Sequence, residues 1–133
     1  MATVLIGEDT ADLAALFTVL MDRAGHTVRV ELDGSATLAA ARAMRPDLLI
    51  LDVQLPGQSG LDVCRAVRAD PELYAVPVLM VSAHGMAGEV AEGIAAGANN
   101  YLVKPFTNTE LLSAAKALLN GHNSAGQGQP VGS

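Results

Sequence analysis

The stretch Leu48-Leu49-Ile50-Leu51-Asp52-Val53-Gln54-Leu55-Pro56-Gly57 decides how the chain folds. Four aliphatic residues in a row suit a strand covered on both faces, as the strands of a parallel sheet are, and the Asp and Pro-Gly beyond them close it in a turn. The same pattern repeats outward in both directions. Upstream lie Val4-Leu5-Ile6 and Thr27-Val28-Arg29-Val30-Glu31-Leu32; downstream lie Val76-Pro77-Val78-Leu79-Met80-Val81 and Tyr101-Leu102-Val103. Amphipathic stretches at 11–24, 35–44, 61–69, 87–96 and 110–119 fall between and after them, so strand and helix alternate throughout. Four of the runs read as strands covered by helices on both faces. The run from Thr27 to Leu32 instead alternates apolar and polar residues, which places it at a half-exposed edge. Right-handed crossovers then wind the chain into a three-layer α/β sandwich with parallel strand order 2-1-3-4-5. Gly25 and Gly97 stand where helices stop, Arg45-Pro46 closes another, and Thr107-Asn108-Thr109-Glu110 has the spacing of a capping box.

The 133 residues are 50% hydrophobic but only 3% aromatic, which fits one domain with an aliphatic core rather than two. Fourteen acidic against eight basic residues leave a net charge of −6, unfavourable for binding phosphate backbones or anionic membranes. Direct contact with nucleic acid or membrane is therefore not expected. No apolar run approaches the roughly 20 residues of a bilayer span. No basic leader precedes the first strand, and the lone Cys64 suits a reducing compartment, so a cytoplasmic location is expected. Beyond Leu119 the chain turns polar and Gly-rich; residues 1–120 read as the folded domain and 121–133 as a flexible tail or linker.

In such a sheet, ligands bind at the carboxyl ends of the strands, where the strand order reverses. The first strand ends in Gly7-Glu8-Asp9, the third in Asp52, the fourth in Ser82 and the fifth in Lys104-Pro105. Strands one and three are neighbours at the reversal point, so Glu8, Asp9 and Asp52 converge. Three carboxylates at close range repel, and the remedies are a retained proton or a bound cation. All-oxygen donors favour Mg²⁺, with Mn²⁺ as an alternative, over zinc. A carboxylate beside such an ion can attack phosphorus, with Lys104 supplying a point charge and Ser82 a hydroxyl donor. Asp52 stands alone at the end of the central strand and is the expected phosphoacceptor, whereas the adjacent Glu8 and Asp9 more naturally share the metal.

These strand ends resemble the receiver domain of two-component response regulators. The resemblance covers about residues 3–119, through Val4-Leu5-Ile6-Gly7-Glu8-Asp9, Leu48 to Gly57, Val78-Leu79-Met80-Val81-Ser82-Ala83 and Gly97-Ala98-Asn99-Asn100-Tyr101-Leu102-Val103-Lys104-Pro105-Phe106. It implies a flavodoxin-like (βα)5 fold and transfer of a phosphoryl group to Asp52 from a sensor histidine kinase or phosphotransfer protein. It further implies a metal held by Asp9, Asp52 and the Gln54 backbone carbonyl, with Glu8 assisting through water. Ser82, Ala83, Tyr101 and Lys104 become phosphate-binding and switch positions, and Lys104-Pro105 a cis peptide. Gln54 and His84 become modulators of dephosphorylation rate. A surface of helix four, strand five and helix five would then change to control an effector protein or output domain, from a monomer or a phosphorylation-dependent homodimer. The chain departs from the commonest pattern at Gly7, Thr10 and Asn99-Asn100.

Taken singly, Asp52 reads as a loop-capping carboxylate, Lys104 as a solvated charge, Ser82 as a helix cap and Tyr101 as a packing residue. Their coincidence at the strand ends is what favours chemistry. The chain would not be an enzyme in the usual sense, beyond its own phosphorylation and slow dephosphorylation. One rival is a receiver-like module that works through protein contacts without phosphate; retention of Glu8, Asp9, Asp52, Ser82 and Lys104 argues against it. A phosphoester hydrolase would need a second acid where Gln54 stands, and a cap domain. Gly88 and Gly93 each weaken the fourth helix by about 1 kcal/mol relative to Ala, which predicts a mobile segment that phosphorylation or a partner orders.

Overall fold

The computed structural model describes residues 2–83 and 85–121. Strand β3 (Leu48–Asp52) is buried along its whole length and lies at the centre of a five-stranded parallel sheet. Strands β1 (Thr3–Gly7) and β4 (Val78–Ser82) flank it, and β2 (Thr27–Glu31) and β5 (Asn100–Val103) form the edges, in the order 2-1-3-4-5. Helices α1 (Ala11–Arg23), α2 (Gly34–Met44), α3 (Gly60–Ala69), α4 (Ala87–Ala95) and α5 (Asn108–Leu119) alternate with them. Successive strand residues point to opposite faces, and the core divides accordingly. Val4, Ile6, Leu48, Ile50, Leu79 and Val81 pack with Phe17, Met21, Leu111 and Leu118 of α1 and α5. On the other face, Leu5, Leu49, Leu51, Val78 and Met80 pack with Leu38 of α2 and with Val63, Cys64 and Val67 of α3.

Several boundaries differ from those read in the sequence, each for a local reason. Strand β4 begins at Val78 rather than Val76; Pro77 has no N–H to give the ladder, although its carbonyl still accepts from Leu49 N at 3.0 Å. Strand β2 ends at Glu31, leaving Leu32 exposed. Helix α5 starts at Asn108, because Thr107 is the cap: its hydroxyl accepts from Glu110 N at 3.0 Å and the Glu110 carboxylate accepts from Thr107 N at 2.7 Å. The expectation that β5 is covered on both faces does not hold. As the second edge it is only half-buried, and Val103 is 38% exposed. Arg45 closes α2 in the left-handed region (φ 48°), the right-handed one being disfavoured before Pro46.

Gly7 owes its place to a close approach. A Cβ there would lie 2.8 Å from the Thr37 hydroxyl oxygen and 3.1 Å from Cδ2 of Leu51, so β1 and α2 could not pack as they do. At the opposite end of the sheet, Arg68 ties α3 to β4 and β5. Its guanidinium donates to the carbonyls of Gly97 (2.9 Å), Tyr74 (3.0 Å) and Val76 (2.6 Å) and to Asn99 Oδ1 (2.7 Å), which also accepts from Val78 N at 2.8 Å. Burial disfavours the Arg68 charge, and these acceptors compensate. Arg68→Met keeps the apolar stem but removes the donor to three carbonyls, and is expected to lower stability by about 3 kcal/mol in urea unfolding. A change below about 0.5 kcal/mol would show the cluster to be dispensable.

Candidate functional site

The register places the candidate site residues level with one another. Gly7 pairs with Leu51, so Glu8 and Asp52, each one residue further, stand side by side; Asp52 pairs with Val81 and Ser82 with Val103, which brings Lys104 to the same rim. Glu8 and Asp52 are buried and Asp9 is exposed, and all three offer carboxylate oxygens within 4.8 Å of one another. Lys104 Nζ donates to Asp52 Oδ2 at 2.8 Å and lies 3.7 Å from Glu8 Oε1. The amide of Gln54 donates to Asp52 Oδ1 at 2.8 Å, so both Asp52 oxygens are held. Ser82 is fully buried at the end of β4, and its carbonyl accepts from Lys104 N at 2.7 Å. Ala83 follows at the exposed rim.

Glu8 carries the electrostatic tension of the cluster. Its Oε2 accepts from Thr10 N at 3.1 Å, but its buried Oε1 has no hydrogen-bond partner. Burial, then a hydrogen bond and repulsion from Asp52, push its carboxyl up to about 7, against the opposing pull of the Thr10 amide and Lys104. Burial and the neighbouring Asp52 thus disfavour the ionised form of Glu8. Three hard oxygen donors, one buried oxygen among them lacking a hydrogen bond, also fit a divalent cation of the Mg²⁺ class.

Of the residues expected here, Glu8, Asp9, Asp52 and Lys104 are brought together directly, with Gln54 joined through its amide. Tyr101 is three residues before Lys104 on β5, and its ring packs on Gly93 of α4. Lys104-Pro105 is a cis peptide. His84 lies outside the described residues, as do residues 122–133 of the expected tail. Sequence reasoning missed Gly60: a Cβ there would lie 2.3 Å from the Asp52 carbonyl oxygen, and its amide donates to Val53 O at 2.8 Å. The start of α3 therefore braces the end of β3. The signal was available in Pro56-Gly57-Gln58-Ser59-Gly60, where a second glycine at a helix start, after the capping Ser59, marks a close backbone approach.

The family model for the response regulator receiver domain matches residues 4–116. Among curated proteins, the DNA-binding response regulator MtrA of Mycolicibacterium paratuberculosis is 40% identical over 116 residues, covering 87% of this chain and 50% of that protein. The chain thus spans about half the length of the curated relatives it matches. Among solved structures, the Vibrio cholerae chemotaxis protein CheY4 has a TM-score of 0.83 at 32% identity, over 89% of this chain and 98% of that one. The receiver domain of the Pseudomonas aeruginosa sensor histidine kinase PA1611, with a magnesium ion coordinated in its active-site cleft, has a TM-score of 0.84 at 26% identity, over 90% and 98%. No helix among the described residues is long and apolar enough to cross a membrane. Fold, strand-end chemistry and these likenesses agree, and the chain belongs to the response regulator receiver domain family.

Proposed function

We propose that this receiver domain accepts a phosphoryl group on Asp52 from a histidine kinase or phosphotransfer protein. The observation that carries this reading is the Asp52 carboxylate itself. It is buried beside two further carboxylates and gripped by Lys104 Nζ at 2.8 Å and the Gln54 amide at 2.8 Å. The two donors fix the orientation of the carboxylate whose oxygen would be the nucleophile of such a transfer. In the transfer an Asp52 oxygen bonds to phosphorus as the donor's P–N bond breaks, and the electron pair of that bond leaves with the imidazole. Lys104 then offsets negative charge on the phosphoryl oxygens, and Ser82 supplies a hydroxyl donor at the rim. Asp9, Asp52 and the Gln54 carbonyl, with Glu8 behind them, would hold Mg²⁺ or Mn²⁺. When bound, the ion neutralises phosphoryl charge.

The chain's own catalysis is confined to this transfer and to slow dephosphorylation, in which water attacks phosphorus and phosphate leaves with Asp52 regenerated; Gln54 and His84 bear on that rate. Ser82, Ala83 and Tyr101 would relay occupancy to the α4–β5–α5 surface, where an effector or output domain is engaged. With a net charge of −6, the domain itself would not hold DNA; any contact with DNA would fall to another segment or protein. Residues 1–120 act as the folded unit in the cytoplasm, as a monomer or a phosphorylation-dependent homodimer. Incubation with Mg²⁺ and acetyl phosphate is expected to add one phosphoryl mass by intact mass spectrometry, and a chelator to abolish the gain. A protein that gains no mass, and whose spectra do not respond to BeF₃⁻, would instead be a phosphate-independent interaction module.

A further inference from the structure

Helix α4 contributes one buried residue, and that residue is Gly93. A Cβ on Gly93 would lie 2.8 Å from both Cδ2 and Cε2 of Tyr101 and 3.8 Å from Cγ of Met80. The Tyr101 ring therefore fills the space in which any other residue would carry its first side-chain carbon. Val103, on the same face of β5, seats itself in the same way: a Cβ on Gly85 would lie 2.7 Å from its Cγ1 and 2.9 Å from its Cγ2. Side chains of β5 thus rest directly on bare backbone of α4 and the loop before it. Gly88, in the same helix, has nothing within 4 Å of its would-be Cβ. The two helix glycines are therefore different in kind. Gly88 only lowers helix propensity, whereas Gly93 makes room for a ring.

We propose that Gly93 is a positioning residue that seats the Tyr101 ring, so that the placement of α4 and the rotamer of Tyr101 form a single variable. With the ring seated, α4 lies against β5; displacing either displaces the other. Densely packed contacts give way by switching between discrete arrangements rather than by stretching, so the pair behaves as a two-state element. The signalling consequence rests on Tyr101 responding to the phosphorylation proposed above; the mechanical coupling does not.

The chain has two tyrosines, Tyr74 and Tyr101, so 3-fluorotyrosine labelling gives two ¹⁹F signals, assigned with Tyr74→Phe. These are recorded, with amide exchange of α4, for the full chain and for Gly93→Ala and Gly88→Ala. Gly93→Ala is expected to move the Tyr101 signal and to reduce protection of the α4 amides by on the order of tenfold. Gly88→Ala is expected to leave that signal in place and to raise protection about fivefold through helix propensity alone. An unmoved Tyr101 signal in Gly93→Ala, or raised protection matching Gly88→Ala, overturns the coupling, because the methyl group has then been absorbed without disturbing the ring. If Gly93→Ala does not fold, Tyr101→Leu takes its place: loss of the ring must lower α4 protection, and unchanged protection refutes the proposal. Addition of BeF₃⁻ and Mg²⁺ to the parent protein separates the two readings. A Tyr101 signal indifferent to them refutes the phosphorylation switch, and the variant data still decide the coupling.

Discussion

Asp52→Asn is expected to take up no phosphoryl group under conditions that fully modify the parent protein, a loss of at least about 10³-fold in rate. The substitution preserves shape but replaces an anionic oxygen by an amide, which has no lone pair able to attack phosphorus. It also removes the ion pair with Lys104 Nζ at 2.8 Å and turns an N–H donor toward either that ammonium or the Gln54 amide. Relief of repulsion against Glu8 offsets part of this loss, so stability should change by no more than about 1–2 kcal/mol. Intact mass and urea unfolding of the same sample therefore separate chemistry from folding. Asp9→Asn provides the contrast: exposed at the rim, it retains the nucleophile and should require more Mg²⁺ for the same uptake. Phosphorylation of Asp52→Asn at the parental rate would move the acceptor elsewhere in the cluster.

In the absence of divalent cations, stability is expected to fall as pH rises from about 4.5 to 8, with about 2–3 kcal/mol lost in total. The cause is Glu8, whose carboxyl is pushed up to about 7 in the folded chain from an ordinary 4.5. Between those values the native state binds more protons than the unfolded state, so raising pH favours unfolding. The contribution is fully present below the unfolded pKa and is lost as pH passes through the folded one. Glu8→Gln cannot ionise and should flatten this slope, leaving the variant more stable than the parent at pH 8. Millimolar Mg²⁺ should stabilise the parent most at that pH, where the carboxylate is ionised and ready to bind. Urea midpoints from pH 5 to 8, in chelator and in Mg²⁺, test the whole scheme; a parent profile that is flat or rises in chelator contradicts it.

Much of this was legible because parallel sheets impose simple patterns. Leu48–Leu51 can be continuously apolar only if both faces are covered, and Arg29 and Glu31 can alternate with Val28 and Val30 only at an edge. Once the order 2-1-3-4-5 is accepted, Glu8 must lie beside Asp52. What stayed hidden depends on contacts between distant parts of the chain. Lys104 grips one particular oxygen of a residue 52 positions away, and the buried Oε1 of Glu8 is left without a hydrogen bond, 3.7 Å from the same ammonium. The roles of Gly60 and Gly93 were obscured for a similar reason. A glycine in a helix reads as low propensity, and only the neighbouring backbone or ring shows that the missing Cβ is the point.

The candidate site groups sit at the last residue of, or one or two steps beyond, strands only four or five residues long, and this makes the chain's tolerance of length changes directional. Deleting one residue from β3 would withdraw Asp52 by about 3.3 Å and turn the aliphatic side chains between it and the deletion to the wrong faces. An insertion after α2 or α3, at the far end of the sheet, would only lengthen a loop. Each strand is thus a ruler read from the rim, and drift in loop length can accumulate at one pole of the molecule while the other stays invariant in count.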